Sequence, residues 1–114
     1  MTRLAAADAR WDVKPAGRFF SMAVLNDEVT IACESRHAPA GGETRRDFRL
    51  IEIEGAFALD SVGVVAAVAA PLAAANVSLF AFSVWSTDAI LIQAEDLPRA
   101  LQALTAAGHV LKAG

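Results

Sequence analysis

Cysteine and histidine are scarce in this sequence, and their scarcity removes several kinds of chemistry. The 114 residues include one cysteine, Cys33, and two histidines, His37 and His109. A single cysteine cannot form an intramolecular disulfide bond, and a structural zinc site usually needs four nitrogen or sulfur ligands. Cys33 and His37 lie four positions apart, but two ligands do not make a site. We therefore predict no metal and no cofactor, and we interpret Cys33 as a small buried thiol.

Motifs of catalysis and of phosphate binding are missing as well. The sequence contains no G-x-S-x-G, no P-loop and no G-x-G-x-x-G. Glu52 and Glu54 share one face of a predicted strand, which is typical of a solvated surface. Glu95 and Asp96 are explained by capping of the helix that follows. We predict that the protein is not an enzyme; the alternative is a catalytic site that is assembled only in space.

Long apolar runs and an excess of positive charge are also absent. From residue 55 to residue 87 the only charged residue is Asp60. Pro71 and Asn76 nevertheless interrupt this stretch before it reaches the ~18–20 strongly apolar residues of a membrane span. We expect no secretory signal, because residues 1–9 lack a charged start followed by a long apolar stretch. A net charge of −3 gives no electrostatic basis for binding nucleic acid or an anionic membrane. We expect a cytoplasmic protein with neither partner.

What is present is typical of a globular α+β domain. Apolar residues make up 55% of the chain and charged residues 20%, enough to build a hydrophobic core at this length. Apolar residues 19–25 and alternating residues 28–33 flank Asn26-Asp27, which predicts a β-hairpin. Residues 34–47 contain Pro39 and Gly41-Gly42 and are predicted to form a loop.

From residue 48 onward the pattern predicts the order βαββαβ, the ferredoxin-like split arrangement with two helices on one face of an antiparallel sheet. Asp60 or Ser61 is the predicted N-cap of the first helix, and Pro71 inside that helix predicts a kink or a lost hydrogen bond. Asp96, Pro98 and Gly108 are the start and stop signals of the second helix. The predicted elements are strand 48–54, helix 62–75, strands 77–84 and 89–94, a helix from 96 to 108, and a short strand at Val110-Leu111.

The first predicted helix is apolar on all sides, which is typical of a helix that is covered on all sides. The covering partner could be the N-terminal hairpin, a second copy of the chain or another protein. A glycine, Gly63, stands where this helix begins. It would let a ligand such as a carboxylate approach the free N–H groups of the first turn, or it could simply relieve crowding between helix and sheet.

Residues 57–88 resemble an ACT domain, an amino-acid-binding regulatory module with the βαββαβ fold. Such domains often carry D-x-P-G at the first strand–helix turn, and Asp60-Ser61-Val62-Gly63 keeps the Asp and the Gly. The closer resemblance is to the CASTOR-like branch, which comprises the CASTOR arginine sensors and small bacterial relatives. The segments that carry it are 58–66, 70–83 and 87–92, the closing Ala106-Ala107-Gly108-His109, and the N-terminal stretches 19–21 and 29–33.

The resemblance implies a tandem arrangement, with residues 1–47 as a degenerate first ACT-like half and residues 48–114 as an ACT domain. It further implies a homodimer that binds a small amino acid at an interface between ACT units. Backbone donors would come from the glycine turn, and an acidic residue would take a positively charged group. Carried over by motif, the ligand-binding residues are Ser61, Gly63, Val64, Trp85 and Asp88.

Two departures from the family pattern leave the function open. Residues 83–89 (SVWSTDA) replace S-T-Y-D-T-D-Y, so Trp85 keeps an aromatic wall whereas Ser86 removes a carboxylate. Residues 1–4 match only the tail of the family's first strand, which predicts an N-terminal half without that edge strand. The ligand can therefore differ from the family's, or the chain can be a ligand-free ACT-like interaction and assembly domain.

Overall fold

The computed structural model describes residues 1–5, 16–53 and 63–112. The chain divides into two compact units, Met1–Arg46 and Asp47–Gly114. That the first unit is a degenerate ACT-like half stays a prediction.

The first unit is an antiparallel sheet of four strands in the order β2-β3-β1-β4. Its strands are β1 Thr2–Ala5, β2 Phe20–Leu25, β3 Glu28–Cys33 and β4 Glu43–Thr44. The predicted hairpin is confirmed, because β2 and β3 pair from Phe20↔Cys33 to Leu25↔Glu28. Asn26 opens the two-residue turn at a positive φ of 55°, as tight hairpin turns require.

Two strands of this unit, β1 and β4, were not predicted from the sequence. The predicted lack of a first strand is wrong, since β1 lies inside the sheet between β3 and β4. Four residues are too short to display a clear alternation, although buried Thr2 and Leu4 do alternate with exposed Arg3. β4 lies in the segment predicted to be a loop. Gly42 allows the chain before β4 to approach β1 closely, because a Cβ at this position would stand 2.3 Å from the Arg3 carbonyl oxygen.

The core of the first unit is small. Leu4, Val29 and Ile31 are buried, and Phe20, Met22 and Cys33 pack against them from partly exposed positions. Cys33 is therefore half-buried rather than fully buried, and desolvation raises the pKa of its thiol above the ordinary value of 9.0. No helix stands behind this core among the residues that the structure describes in the unit, apart from a 3₁₀ turn at Ser35–His37.

The second unit contains three strands and two helices: β5 Phe48–Glu52, α1 Val64–Ala74, β6 Phe80–Ser83, β7 Asp88–Gln93 and α2 Leu97–Ala106. The sheet order is β5-β7-β6, with both pairs antiparallel. Strand β7 thus lies between β5 and β6, which is the split arrangement expected of a ferredoxin-like α+β fold.

The fold class is confirmed, with differences at the ends of elements. Val110-Leu111 forms no strand, and Val110 is 85% exposed after the chain leaves α2. Asp60 and Ser61 lie outside the described residues, so their predicted capping role is not addressed. The residue that immediately precedes α1 is Gly63, in the left-handed conformation.

The core of the second unit lies between its helices and one face of its sheet. Helix α1 contributes Val68 and Leu72, and helix α2 contributes Ala100 and Leu104, all buried against Ile90, Ile92 and Val77. The other side of α1 carries five exposed alanines, so the cover expected over this side of the helix stays a prediction. These alanines are Ala66, Ala67, Ala70, Ala73 and Ala74.

Both helices end in the same hydrogen-bonding motif. After α1, Asn76 takes a positive φ of 61° while the Val77 N–H donates to the Leu72 carbonyl at 2.9 Å. After α2, Gly108 takes a φ of 96° while the His109 N–H donates to the Leu104 carbonyl at 3.0 Å. This is the Schellman arrangement, which satisfies carbonyls that the helix leaves without donors.

The last residue of the α2 motif, His109, also supplies a hydrogen-bonding partner to a carbonyl of α1. Helix α1 runs through Pro71, which has no N–H to donate to the carbonyl four residues earlier, that of Ala67. The ring Nε2 of His109 lies 2.8 Å from this same carbonyl oxygen. The structure thus gives the presence of Pro71 and of His109 a joint physical reason.

Candidate functional site

Four of the five predicted ligand-binding residues can be located, and they come from two elements of the second unit. Gly63 and Val64 lie at the start of helix α1, whereas Trp85 lies in the β6–β7 connection and Asp88 is the first residue of β7. Ser61 lies outside the described residues. The connection has four residues, 84–87, and the Val84 N–H closes it by donating to the Thr87 carbonyl at 3.0 Å.

Gly63 has the backbone conformation that the glycine-turn prediction requires. Its φ of 82° and ψ of 0° are left-handed, and its carbonyl accepts the Ala67 N–H at 2.9 Å, which starts the helix. Apart from its chain neighbours, no described residue has an atom within 4 Å of the point where a Cβ would stand. The alternative reading, in which glycine relieves crowding against the sheet, is therefore not supported by any described neighbour.

The N-terminus of α1 has backbone N–H groups that could bind an anion. The first-turn N–H groups lack acceptors within the helix and carry the positive end of the helix dipole, so they attract a carboxylate. The first turn of α1 contains no acidic side chain that would neutralise this end. Val64, the first helical residue, is half-buried and offers its backbone rather than a polar side chain.

Asp88 is the acidic residue of the candidate site and begins strand β7. Its side-chain Oδ1 accepts a hydrogen bond from the Ser83 hydroxyl, across the residue pair at the end of the β6–β7 ladder. The Asp88 carbonyl accepts the Ile53 N–H at 2.9 Å, which extends the pairing with β5. Asp88 is half-buried and is thus held in place by both neighbouring strands.

Two hydroxyl residues near Asp88 were missed as components of the site. Ser83 fixes the carboxylate, and the Thr87 hydroxyl donates to the Ile53 carbonyl at 2.6 Å. Their only sequence signal was that they flank a tight turn between two apolar strands. Strand pairing across that turn, rather than spacing along the chain, brings their hydroxyl groups to these partners.

Trp85 does not form the wall of an enclosed pocket within the described residues. Its side chain is 79% exposed, and the neighbouring Val84 is 68% exposed. Both stand at the tip of the β6–β7 connection. An indole this exposed can contact a ligand from one side only, so a second surface would be needed to enclose the ligand.

Topology places the two halves of the site at one end of the sheet. Strand β5 ends at Glu52, beside Ala89 at the start of β7, so the β6–β7 connection lies at this end. Helix α1 ends next to buried Val77, which leads into the start of β6 at the opposite end. An 11-residue helix is about 16 Å long, close to the length of a five-residue strand. The N-terminus of α1 therefore returns to the end that holds Asp88.

Other kinds of site are not evident in the part of the chain that the structure describes. No group of three histidine, cysteine, aspartate or glutamate side chains gathers there as a metal ion would need. Among the same residues, no helix is long and apolar enough to cross a membrane.

Comparison with known proteins agrees with this architecture. The family model described as ACT domain matches residues 43–106, more than half of the chain. The crystal structure of protein Atu0741 from Agobacterium tumefaciens is similar at a TM-score of 0.86 and 29% identity, covering 97% of this chain and 83% of that one. Protein VC0802 from Vibrio cholerae is similar at a TM-score of 0.62 and 25% identity, covering 90% of this chain and 79% of that one. No curated protein gives a significant match.

Proposed function

This chain belongs to the ACT domain family, and from that premise we propose that it is a non-catalytic regulatory module that binds a small amino acid at an interface between ACT units. The observation that carries the proposal is the arrangement of residues around the N-terminus of α1. Gly63 is left-handed, no described residue beyond its chain neighbours fills the space beside it, and the topology of the strands brings Asp88 to the same end of the sheet. We assign the chain to the CASTOR-like branch of the family on the motif segments that include Pro71 and His109.

The two halves of the site have opposite charge preferences, as the two ends of an amino acid do. The N–H groups that follow Gly63 suit the α-carboxylate of a ligand. Asp88 suits an ammonium group, because a fixed carboxylate forms short, charge-assisted hydrogen bonds with such a donor. Ser61 and Val64 complete the proposed turn, and Trp85 is the proposed aromatic wall.

The exposure of Trp85 argues for a site that a second ACT unit closes. At 79% exposure the indole buries too little surface to hold a ligand alone. A ligand that bridges two units would stabilise one packing of those units over another, which is how a module without catalytic groups regulates an attached or associated protein.

The direct test is thermal unfolding of the purified protein with each of the twenty amino acids in turn. A ligand at about 100 times its dissociation constant adds ~2.7 kcal/mol to the free energy of unfolding. For a domain of this size, that raises the Tm by on the order of ten degrees. We expect a rise of this kind with one or two amino acids and no rise with the others.

Two substitutions then assign the site. Asp88→Asn keeps the shape of the side chain and an acceptor for Ser83 but removes the charge, so we expect the ligand-induced rise in Tm to disappear. Glu95→Gln removes a charge from exposed Glu95 in the same unit and should leave the rise intact. An unchanged rise in Asp88→Asn would show that Asp88 does not bind the ligand.

A second candidate function is a ligand-free interaction and assembly domain. It is favoured by the hydrogen bond that Ser83 already makes to Asp88, which occupies part of the carboxylate. A protein of this kind would show no rise in Tm with any of the twenty amino acids while still self-associating.

A further inference from the structure

Helix α1 is joined to helix α2 by polar contacts near both of its ends. Near its N-terminus, the ring Nε2 of His109 lies 2.8 Å from the Ala67 carbonyl oxygen. At its C-terminus, Arg99 donates from Nε to the Ala75 carbonyl at 3.0 Å and from Nη2 to the Asn76 carbonyl at 3.2 Å. A carbonyl can only accept, so the His109 Nε2 carries the hydrogen. The two contacts therefore fix α1 to α2 at separate points.

The first turn of α1 has few other means of fixation. The side chains of residues 64–67 are half-buried or exposed, and the buried side chains of the helix, Val68 and Leu72, lie further along it. Gly63 has no side chain with which to cap the turn. Helix ends with little buried surface open more readily than the core. A single contact at this end therefore has a large share in keeping the turn ordered.

Ala67 links His109 to the glycine turn. Its N–H donates to the Gly63 carbonyl at 2.9 Å, and its carbonyl accepts from the His109 ring. The N–H groups of residues 64–66, which lie between, have no acceptor within the helix. They are the groups that the proposed function assigns to the ligand carboxylate. His109 thus holds the residue that closes the turn on which these donors stand.

Pro71 makes this turn depend on α2. In a helix without proline, the N–H four residues after Ala67 would bond its carbonyl, and the backbone of α1 would hold the turn by itself. Proline at position 71 removes that donor. The contact that replaces it comes from the residue that ends the α2 motif, so a displacement of that residue changes the first turn of α1.

We propose that His109 is a positioning residue for the proposed ligand site, because its contact with the Ala67 carbonyl keeps the first-turn N–H groups of α1 aimed at a ligand carboxylate. This inference rests on the proposed function and gives His109 no contact with the ligand. Donors that are already ordered bind more tightly than donors that must be ordered during binding. Loss of the His109 contact therefore weakens binding. Arg99, by contrast, holds the end of α1 that lies away from these donors.

The first experiment is isothermal titration calorimetry with the amino acid that gives the wild-type protein its largest rise in Tm. We expect His109→Ala to raise the Kd about three- to ten-fold, the effect of losing one hydrogen bond. His109→Gln keeps an N–H donor at a similar reach and should retain the wild-type Kd. Arg99→Ala is the matched control. It also releases α1 from α2, but at the other end, so it should lower the Tm and leave the Kd unchanged.

A Pro71→Ala background separates positioning from a general loosening of the helices. There the helix supplies its own donor to the Ala67 carbonyl, so adding His109→Ala should no longer raise the Kd. A His109→Ala protein that binds as tightly as wild type would overturn the proposal, and so would an equal rise in Kd for Arg99→Ala. The proposed function fails by a different result, the absence of any rise in Tm with the wild-type protein, and this inference would fall with it.

Amide hydrogen exchange tests the structural step without any ligand. The Ala67 N–H should exchange at least several-fold faster in His109→Ala than in the wild-type protein, because the turn that it closes opens more often. Arg99→Ala should leave this exchange rate unchanged. Equal rates in His109→Ala and wild type would show that His109 does not hold the turn, and would overturn the proposal whatever the calorimetry gives.

Discussion

The unit Met1–Arg46 has the strand order β2-β3-β1-β4, and the unit Asp47–Gly114 has the order β5-β7-β6. In both, the third strand of the unit lies between its first and second strands. The second unit achieves this with two helices behind the sheet, whereas the described residues of the first contain no α-helix. The comparison shows the same relation among three strands in both units, with two helices packed against the sheet of the second.

The cores reflect this difference. Among the described residues, a cluster of seven is buried in the second unit, including Leu72, Ile92 and Leu104, and a cluster of three, Leu4, Val29 and Ile31, in the first. Apolar burial contributes roughly 25 cal/mol per Å². The helix-backed unit should therefore hold the larger share of the free energy of unfolding.

The largest expected effect comes from the same deletion made in each core. Leu72→Ala removes a side chain that is 0% exposed, and Leu4→Ala removes one that is 8% exposed. We expect Leu72→Ala near the upper end and Leu4→Ala near the lower end of the ~2–5 kcal/mol typical of such changes. Urea denaturation measures both. Equal losses, or a larger loss for Leu4→Ala, would contradict the ranking of the two cores.

Two glycines with positive φ sharpen the comparison at the level of the backbone. Gly42 in the first unit and Gly63 in the second have φ values of 68° and 82°. An alanine at either position incurs about 1–2 kcal/mol of left-handed strain. Gly42→Ala also forces a Cβ against the Arg3 carbonyl and the Leu4 side chain, whereas Gly63→Ala meets no described atom. Gly42→Ala should therefore lower the Tm more, and the reverse order would show that the β1–β4 approach is not close in solution.

A contact found in the second unit predicts a smaller, non-additive effect. His109→Ala should cost about 0.5–1.5 kcal/mol, because the Ala67 carbonyl loses its partner. In a Pro71→Ala background the helix regains the N–H that bonds this carbonyl, so the cost of His109→Ala should shrink. A double-mutant cycle in urea measures the coupling. An equal cost of His109→Ala in both backgrounds would mean that Pro71 and His109 act independently.

The smallest expected effect is a pH dependence carried by the first unit. Burial raises the pKa of the Cys33 thiol, so the folded state keeps a proton that the unfolded state loses as pH rises through 9.0. The stability linked to this proton is complete below pH 9.0 and is lost above it, until the folded thiol also ionises. Cys33→Ala should flatten this part of the stability profile, and the absence of tyrosine simplifies its interpretation. An unchanged slope would assign the effect to another group.

Much of the fold could be predicted from the sequence because its signals are local. The Asn26-Asp27 turn predicted the hairpin, and Pro98 and Gly108 marked the two ends of α2, whose observed C-terminal motif uses that glycine. Asp96 stands at the N-cap position but makes no side-chain capping hydrogen bond, and its carboxylate instead accepts a hydrogen bond from Arg99. Strand β7 was predicted to within one residue, since an apolar run between turn signals has few alternatives.

What could not be predicted depends on partners distant in sequence. β1 and β4 are too short for a pattern, and they are defined by pairing: β1 pairs with β3 along its whole length, and β4 pairs with β1 at Thr2↔Thr44. The Ser83 hydroxyl finds Asp88 only through the β6–β7 ladder. For the candidate site, residue identities came from resemblance to the family, and the conformation of Gly63 and the fixation of Asp88 came from the structure.

The Pro71–His109 contact also has a consequence for how this chain can change over generations. A proline that opens a gap in one helix is tolerable while a residue after the other helix fills it. If the histidine is replaced, the proline leaves a helix carbonyl without a donor. If the proline is replaced, the helix supplies its own donor and the histidine is no longer needed for this contact. Across related chains the two positions should vary together, with proline and histidine kept or lost as a pair. Such covariation would identify chains that share this packing of two helices even where the glycine turn and the acidic residue of the candidate site have diverged.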